Sequence, residues 1–163
     1  MHVRKMQAVD IPAVAAAHLA AWQKAFRGIL SDRFLDELTE HQFEETWSES
    51  FKRPSRENLV VDSEQGVIGF IAFGPSRDDG EAGEIHGIYV HPNFWRTGAG
   101  SLLLTSSIDR LKSLGLQQAI VWTMTKNSIS HRFYEQHGLS PTGKKRISKR
   151  QNETFEEIEY RIV

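Results

Sequence analysis

The residues of this chain whose types and spacing could do chemistry concentrate in its second half. From position 96 the order is Arg96-Thr97-Gly98-Ala99-Gly100-Ser101, followed at once by the apolar run Leu102-Leu103-Leu104. Glycines let a backbone approach a phosphate without Cβ interference, and the first turn of a helix offers N–H groups that lack intrahelical acceptors. With the positive end of the helix dipole and the Arg96 guanidinium, such a turn can seat an anion. The same spacing also serves a strand-to-helix turn that binds nothing, and two glycines alone do not separate these alternatives. Two familiar phosphate loops are excluded. No lysine follows either glycine at P-loop spacing, and Leu103 stands where a dinucleotide fingerprint needs its third glycine.

A loop of this kind needs a strand before it and a helix after it, and the periodicity supplies both. Glu84 to Val90 reads as a strand, and Gly98 to Leu114 as a helix with Leu103, Leu104, Ile108, Leu111 and Leu114 on one face. Upstream, Val3 to Ala8 reads as a short strand and Asp10 as an N-cap with Pro12 in the first turn. Ile11 to Phe26 then carries a helical stripe that includes His18, Trp22 and Phe26. Ser31 is positioned to cap the next helix, and Thr39 with Gln42 forms a capping-box pattern, so two or three helices precede any substantial sheet. Asn58–Asp62 and Val67–Phe73 form a hairpin, and residues 75–83 a polar loop. Gln118–Thr123 is a strand, Asn127–His137 a helix, and 139–147 with 154–162 a closing hairpin. The order β-αα-ββ-β-α-β-α-ββ predicts an α/β (mixed α+β) fold, a mixed sheet with helices on it.

The stretch from Glu84 to Leu104, EIHGIYVHPNFWRTGAGSLLL, resembles the acetyl-CoA loop of the GNAT N-acetyltransferase superfamily, whose pattern Q/R-x-x-G-x-G/A follows a strand ending in V-x-P. Two further motifs extend the resemblance over nearly the whole chain. Trp22 with Phe26-Arg27-Gly28-Ile29-Leu30 and Phe34-Leu35 is similar to a stretch common in bacterial members. Asn127 to Leu139 is similar to the family's N…A…FYE…GF motif. Trp95 departs from the pattern, standing where it has Gln or Arg, and Leu139 replaces the closing Phe. The resemblance implies a central, largely antiparallel mixed sheet flanked by helices, with residues 1–163 forming one N-acetyltransferase domain. It implies acetyl-CoA as acyl-donor co-substrate and an amine of a small molecule, peptide or protein as acceptor. Backbone from Arg96, Thr97, Gly98, Ala99, Gly100 and Ser101 would hold the pyrophosphate. Backbone of Ile88, Tyr89 and Val90 would hold the pantetheine arm.

The reaction so implied is attack of an amine on a thioester. A lysine-like amine of pKa about 10.4 is neutral in roughly one molecule in 2,500 at pH 7, so a base is needed. Glu84, six residues before Val90, stands where one family branch carries its general-base glutamate. In an unbroken strand Glu84, His86, Ile88 and Val90 share a face. His86 is the rival, since an imidazole titrates in the right range, and water is a third route. The leaving thiolate can take a proton from a phenol, and Tyr134 matches the family's tyrosine in that role. Asn127 lies seven residues before Tyr134, two turns along one helix face, and serves as N-cap, ligand contact or both. The family's acceptor pocket lies between the first helices and the closing hairpin, where Trp22 and Phe26 are candidate substrate residues. Their stripe, with His18, is also a core stripe.

Bulk properties remove several other classes. With no cysteine in the chain there are no thiolate metal ligands, no disulfides and no acyl-cysteine relay, so direct transfer in a ternary complex without a metal is expected. A formal charge of −1 gives no support for a nucleic-acid or membrane partner. Lys144 to Arg150 is a local basic cluster, either a solvated hairpin surface or an attractor for an acidic acceptor. The first ten residues do not form a signal peptide and no apolar run approaches membrane-spanning length, so a cytoplasmic protein is expected. Homodimerisation, common in the family, is a further expectation. The alternative to an enzyme is a non-catalytic acyl-CoA-binding module, which needs the loop but neither Tyr134 nor a base.

Overall fold

The computed structural model describes residues 1–162. In chain order the elements are β1 (His2–Lys5), α1 (Ile11–Ala25), α2 (Asp32–Glu37), α3 (Glu40–Phe51), β2 (Glu57–Ser63), β3 (Gly66–Pro75) and β4 (Ala82–Val90). There follow α4 (Ala99–Ser113), β5 (Gln118–Met124), α5 (Ser128–Gln136), β6 (Ser140–Arg150) and β7 (Glu153–Ile162). The seven strands form one sheet in the order β1-β2-β3-β4-β5-β7-β6. Every neighbouring pair is antiparallel except β4 and β5.

Strand alternation decides which helix covers which face. On β3, Phe70 and Ala72 pack toward α1 and α3 with Val14 and Trp47, while Ile71 and Phe73 join Leu103, Leu104 and Leu111 of α4 on the other face. Helix α4 approaches closely at Gly83, where an added Cβ would lie 2.6 Å from the Leu111 side chain. Glycine at that point lets the helix that carries the loop press onto the strand that carries Glu84. Among the described residues no helix is long and apolar enough to cross a membrane.

Local signals decide the helix ends. Ser31 caps α2, its Oγ accepting from Phe34 N at 3.2 Å. Thr39 and Gln42 form the reciprocal capping box of α3, at 3.3 and 3.0 Å. The N-terminal expectation needs correction. β1 stops at Lys5, residues 8–10 form a 3-10 turn, and Asp10 does not cap α1 through its side chain. Its carboxylate is held instead by the Arg4 guanidinium, at 2.8 and 2.9 Å, and by Gln7 N. A charge-assisted, two-pronged pair outcompetes a neutral cap for the same oxygens.

The feature that matters for chemistry is a gap. β4 and β5 pair only from Ala82–Gln118 to Ile85–Val121, then part, although β4 runs on to Val90 and β5 to Met124. The parting coincides with a β-bulge: Phe73 opposes Ile85 while Ala72 opposes Gly87, leaving His86 as the extra residue. A bulge bends the strand that carries it and shifts its side-chain alternation by one. The expectation that Glu84, His86, Ile88 and Val90 share a face therefore fails. Ile88 and Val90 pack with α4, whereas Tyr89 packs with the α1 and α3 side.

Candidate active site

The loop after β4 presents a row of free backbone N–H groups. Trp95 folds back so that its Nε1 donates to Val90 O at 2.7 Å, and Thr97 Oγ1 donates to Phe94 O at 2.7 Å. Trp95, the residue no pattern explained, therefore pins the loop to the strand end. Arg96 and Gly98 both have left-handed backbone, φ 63° and 91°. For a non-glycine residue that conformation costs roughly 1–2 kcal/mol, and strain of this kind gathers at ligand-holding turns. The first loop or helix N–H to bond inward is that of Leu102, to Gly98 O at 3.0 Å. The six N–H groups from Arg96 to Ser101 have no acceptor among the described residues. The two glycines serve different ends. A Cβ on Gly98 would meet nothing within 4 Å, so its backbone angle alone demands glycine. At Gly100 a Cβ would come within 3.2 Å of the Phe133 ring, so glycine there lets α5 lie against α4.

This loop opens onto a cleft of about 900 Å³ that fills the gap between the parted strands. Ile88, Tyr89 and Val90 form one wall, with no β5 partner for their backbone. Arg96, Gly98, Gly100 and Ser101 form the loop end, and Asn127 and Tyr134 of α5 the other wall. Thr97 and Ala99 lie outside the lining; Ala99 is buried in the core under α4. His137, which the sequence reading missed, stands at the loop end. Its Nδ1 donates to Phe133 O at 2.7 Å, which leaves Nε2 to accept from Ser101 Oγ at 2.9 Å. Asn127 caps α5, its side chain accepting from Ser130 N at 3.3 Å, and also lines the cleft.

A second, smaller cavity of about 200 Å³ lies on the far side of the gap, and Ile88, Tyr89, Asn127, Ser130 and Tyr134 belong to the walls of both. Tyr134 is 5% exposed and its hydroxyl has no hydrogen-bond partner among the described residues. Burial pushes its phenol above the ordinary range, with the Tyr89 hydroxyl adding to the effect, so it is protonated at neutral pH. Glu84 and His86 line the smaller cavity. Glu84 is almost wholly buried and accepts from Arg77 Nη2 at 2.7 Å and Arg77 N at 3.3 Å. Burial alone pushes its carboxyl up, but the nearby His86 and the Arg77 side chain and backbone outweigh that and hold it down at about 2. His86 Nδ1 is 3.6 Å from Glu84 Oε1, beyond hydrogen-bond length, and is buried with no partner.

Trp22 and Phe26 are core residues that also border a cavity: both are buried in the core cluster under α1, and both line the smaller cavity. His18 is core. It is ringed by Phe43, Tyr89 and Phe70, accepts from Trp47 Nε1 at 3.1 Å, and its pKa is held well below the ordinary value, by burial first and then by Arg150.

Arg77, Trp122, Arg146 and Arg150 are among the cavity residues that carried no individual signal in the sequence. Arg77 comes from the polar loop, which has no periodicity to read. Arg146 and Arg150 have one. With Ser148 they recur every second residue, and their register places them on the same sheet face as Glu157, Phe155 and Glu153 of β7.

Residues 20–139 match the family model described as the Acetyltransferase (GNAT) family. Over 128 residues the chain is 31% identical to the "Uncharacterized N-acetyltransferase YuaI" of Bacillus subtilis, spanning 77% of this chain and 72% of that protein. Over 146 residues it is 30% identical to the "Probable N-acetyltransferase Rv2775" of Mycobacterium tuberculosis, spanning 88% and 82%. Among solved structures, the PaiA N-acetyltransferase of Thermoplasma acidophilum in complex with coenzyme A superposes with a TM-score of 0.73 at 18% identity, over 97% of this chain and 96% of that one. At that identity the likeness is one of fold.

Proposed function

As a member of the acetyltransferase (GNAT) family, this chain is an acetyl-CoA-dependent N-acetyltransferase, and we propose that residues 1–163 act as one unit in which an amine attacks directly in a ternary complex, in the gap between β4 and β5. The observation that carries this assignment is the meeting of the anion-seating cleft and the inner cavity at Tyr134.

The residues present fit the donor. The six free N–H groups from Arg96 to Ser101, with the Arg96 guanidinium, suit a pyrophosphate. The unpaired backbone of Ile88, Tyr89 and Val90 suits the amide-bearing pantetheine arm, and Asn127 borders the same cleft. The coenzyme supplies an acetyl group activated as a thioester.

On the leaving-group side, Tyr134 is the acid. Its buried hydroxyl keeps its proton at neutral pH and has no acceptor among the described residues to compete for it. On the amine side, a carboxylate held at about 2 is too weak a base to act alone near pH 7. Glu84 and His86 therefore work as a pair. The His86 imidazole takes the proton, and the Glu84 carboxylate, 3.6 Å away, draws the ammonium in. Trp22 and Phe26 wall the acceptor side.

A non-catalytic acyl-CoA-binding module would have no need of a second cavity joined to the first at a buried phenol. The test is release of free thiol from acetyl-CoA across a panel of primary amines. Amine-dependent release is expected. Tight acetyl-CoA binding with no release on any amine would leave only the binding module.

A further inference from the structure

The inner cavity holds more donors than acceptors. Among the described residues, four buried side-chain polar atoms lack a hydrogen-bond partner, and three belong to residues lining this cavity: Trp22 Nε1, Trp122 Nε1 and His86 Nδ1. An indole N–H can only donate; Trp122 Nε1 has no acceptor among the described residues, and Trp22 Nε1 lies near the Tyr89 hydroxyl without the geometry of a hydrogen bond to it. Buried donors left this way are rare in folded proteins, and a ligand is one of the few explanations.

The charges lean the same way. Three guanidiniums and two carboxylates line the cavity. Arg77 is paired with Glu84 at 2.7 Å, and Arg146 with Glu157 at 2.6 Å while lying over the Trp122 ring. Arg150 has no carboxylate within ion-pair distance among the described residues; its guanidinium lies 4.7 Å from the centre of the Trp22 ring. Its cross-strand neighbour Glu153 is engaged by the Ser31 hydroxyl and N–H. The surplus cation therefore stacks on one of the two tryptophans whose N–H is unsatisfied. A cavity of about 200 Å³ is smaller than the roughly 300–1,000 Å³ of most ligand pockets, so the occupant is small.

We propose that the acceptor is a small zwitterion, an amino acid or close analogue, whose carboxylate is held by Arg150 with the indole N–H groups of Trp22 and Trp122 while its amine faces Glu84, His86 and Tyr134. This rests on the acetyl-transfer reading above and narrows it. The three residues of this carboxylate seat come from α1 (Trp22), β5 (Trp122) and β6 (Arg150). Trp22 and Trp122 fall within residues 20–139, the span of the family-model match, and Arg150 lies beyond it. A polypeptide N-terminus, whose first residue has no free carboxylate, lacks the group that the seat would hold.

The test uses matched trios: an aliphatic and an aromatic amino acid, the carboxamide of each, and the decarboxylated amine of each. Thiol release from acetyl-CoA gives kcat/KM, and tryptophan fluorescence of the CoA-saturated protein gives binding. The carboxylate is expected to exceed both twins by about tenfold or more, the worth of one charge-assisted hydrogen bond. In Arg150→Gln that preference should fall to within about threefold, with the KM for acetyl-CoA unchanged. Trp122→Phe, which deletes one orphan N–H and keeps a ring, should lower the preference as well. Equal use of carboxylate and carboxamide, or a preference undiminished in both variants, overturns the inference. Acetyl transfer at equal rates to the neutral twins would do so while leaving the enzyme reading intact. Selective binding without thiol release would keep the anion seat and remove acetyl transfer instead. Neither binding nor release would remove both.

Discussion

Tyr134→Phe separates chemistry from structure in this site. The substitution removes one oxygen and keeps the ring, which packs in the core beneath α4 and α5. Because the hydroxyl has no protein partner, its loss orphans no donor or acceptor. Stability should therefore change by less than about 1 kcal/mol, a few degrees in Tm for a chain of this size. The kinetic cost is of another order. A positioned general acid contributes roughly 10²–10⁴ in rate, so kcat should fall at least about a hundredfold, near 2.7 kcal/mol in the barrier. Acetyl-CoA KM should stay within about twofold, because the pyrophosphate seat lies at the other end of the cleft. Steady-state thiol release with a productive amine, read beside thermal unfolding, supplies both numbers. A kcat within threefold of the parent, in a protein with unchanged Tm, would refute the acid role.

The proton-acceptor pair predicts unequal losses in rate. His86→Gln removes the group that takes the proton and should lower kcat about a hundredfold, whereas Glu84→Gln keeps the imidazole and should lower it less, both read by thiol release; unchanged kcat in both proteins would contradict the pairing. Gly98→Ala forces a Cβ onto a φ of 91° and should raise acetyl-CoA KM about tenfold by reshaping the N–H nest, measured by donor titration; an unchanged KM would argue against that nest. Glu84 also predicts an acid-stability signature. A carboxyl lowered to about 2 in the fold stabilises above its ordinary pKa of about 4.3, and that contribution, about 3 kcal/mol, is lost as pH falls from about 4.3 towards 2. Urea unfolding at stepped pH should show Glu84→Gln losing less stability than the parent across that window; parallel losses would place the titrating group elsewhere.

The elements of the proposed donor side were legible in the sequence because their information is local. A strand, two glycines and a helix stripe are adjacent in the chain, and backbone N–H groups need no particular side chain to do the binding. Tyr134 and Asn127 are likewise local, seven residues apart on one helix. The acceptor side is written differently. The bulge at His86 leaves no mark in the hydrophobic pattern, yet it shifts the alternation and separates Glu84 from the face of Ile88 and Val90. Glu84 was singled out by its place in the strand, but its pairing with Arg77 depends on how the loop at 76–81 folds back. Arg146 and Arg150 were visible only as part of a basic run. Period-two reading of that run separates them, with Ser148, from Lys145, Ile147 and Lys149 and predicts their shared face. What they face depends on the β5–β7 pairing, which no local pattern encodes.

Direct transfer in a ternary complex is tested most plainly by initial velocities measured over a grid of acetyl-CoA and amine concentrations, with intact-mass analysis of the protein after incubation with acetyl-CoA alone. Intersecting double-reciprocal lines and an unmodified chain are expected, since the sequence has no cysteine to carry an acetyl group and both cavities open on Tyr134 at once. Parallel lines with an acetyl adduct on the protein would contradict it.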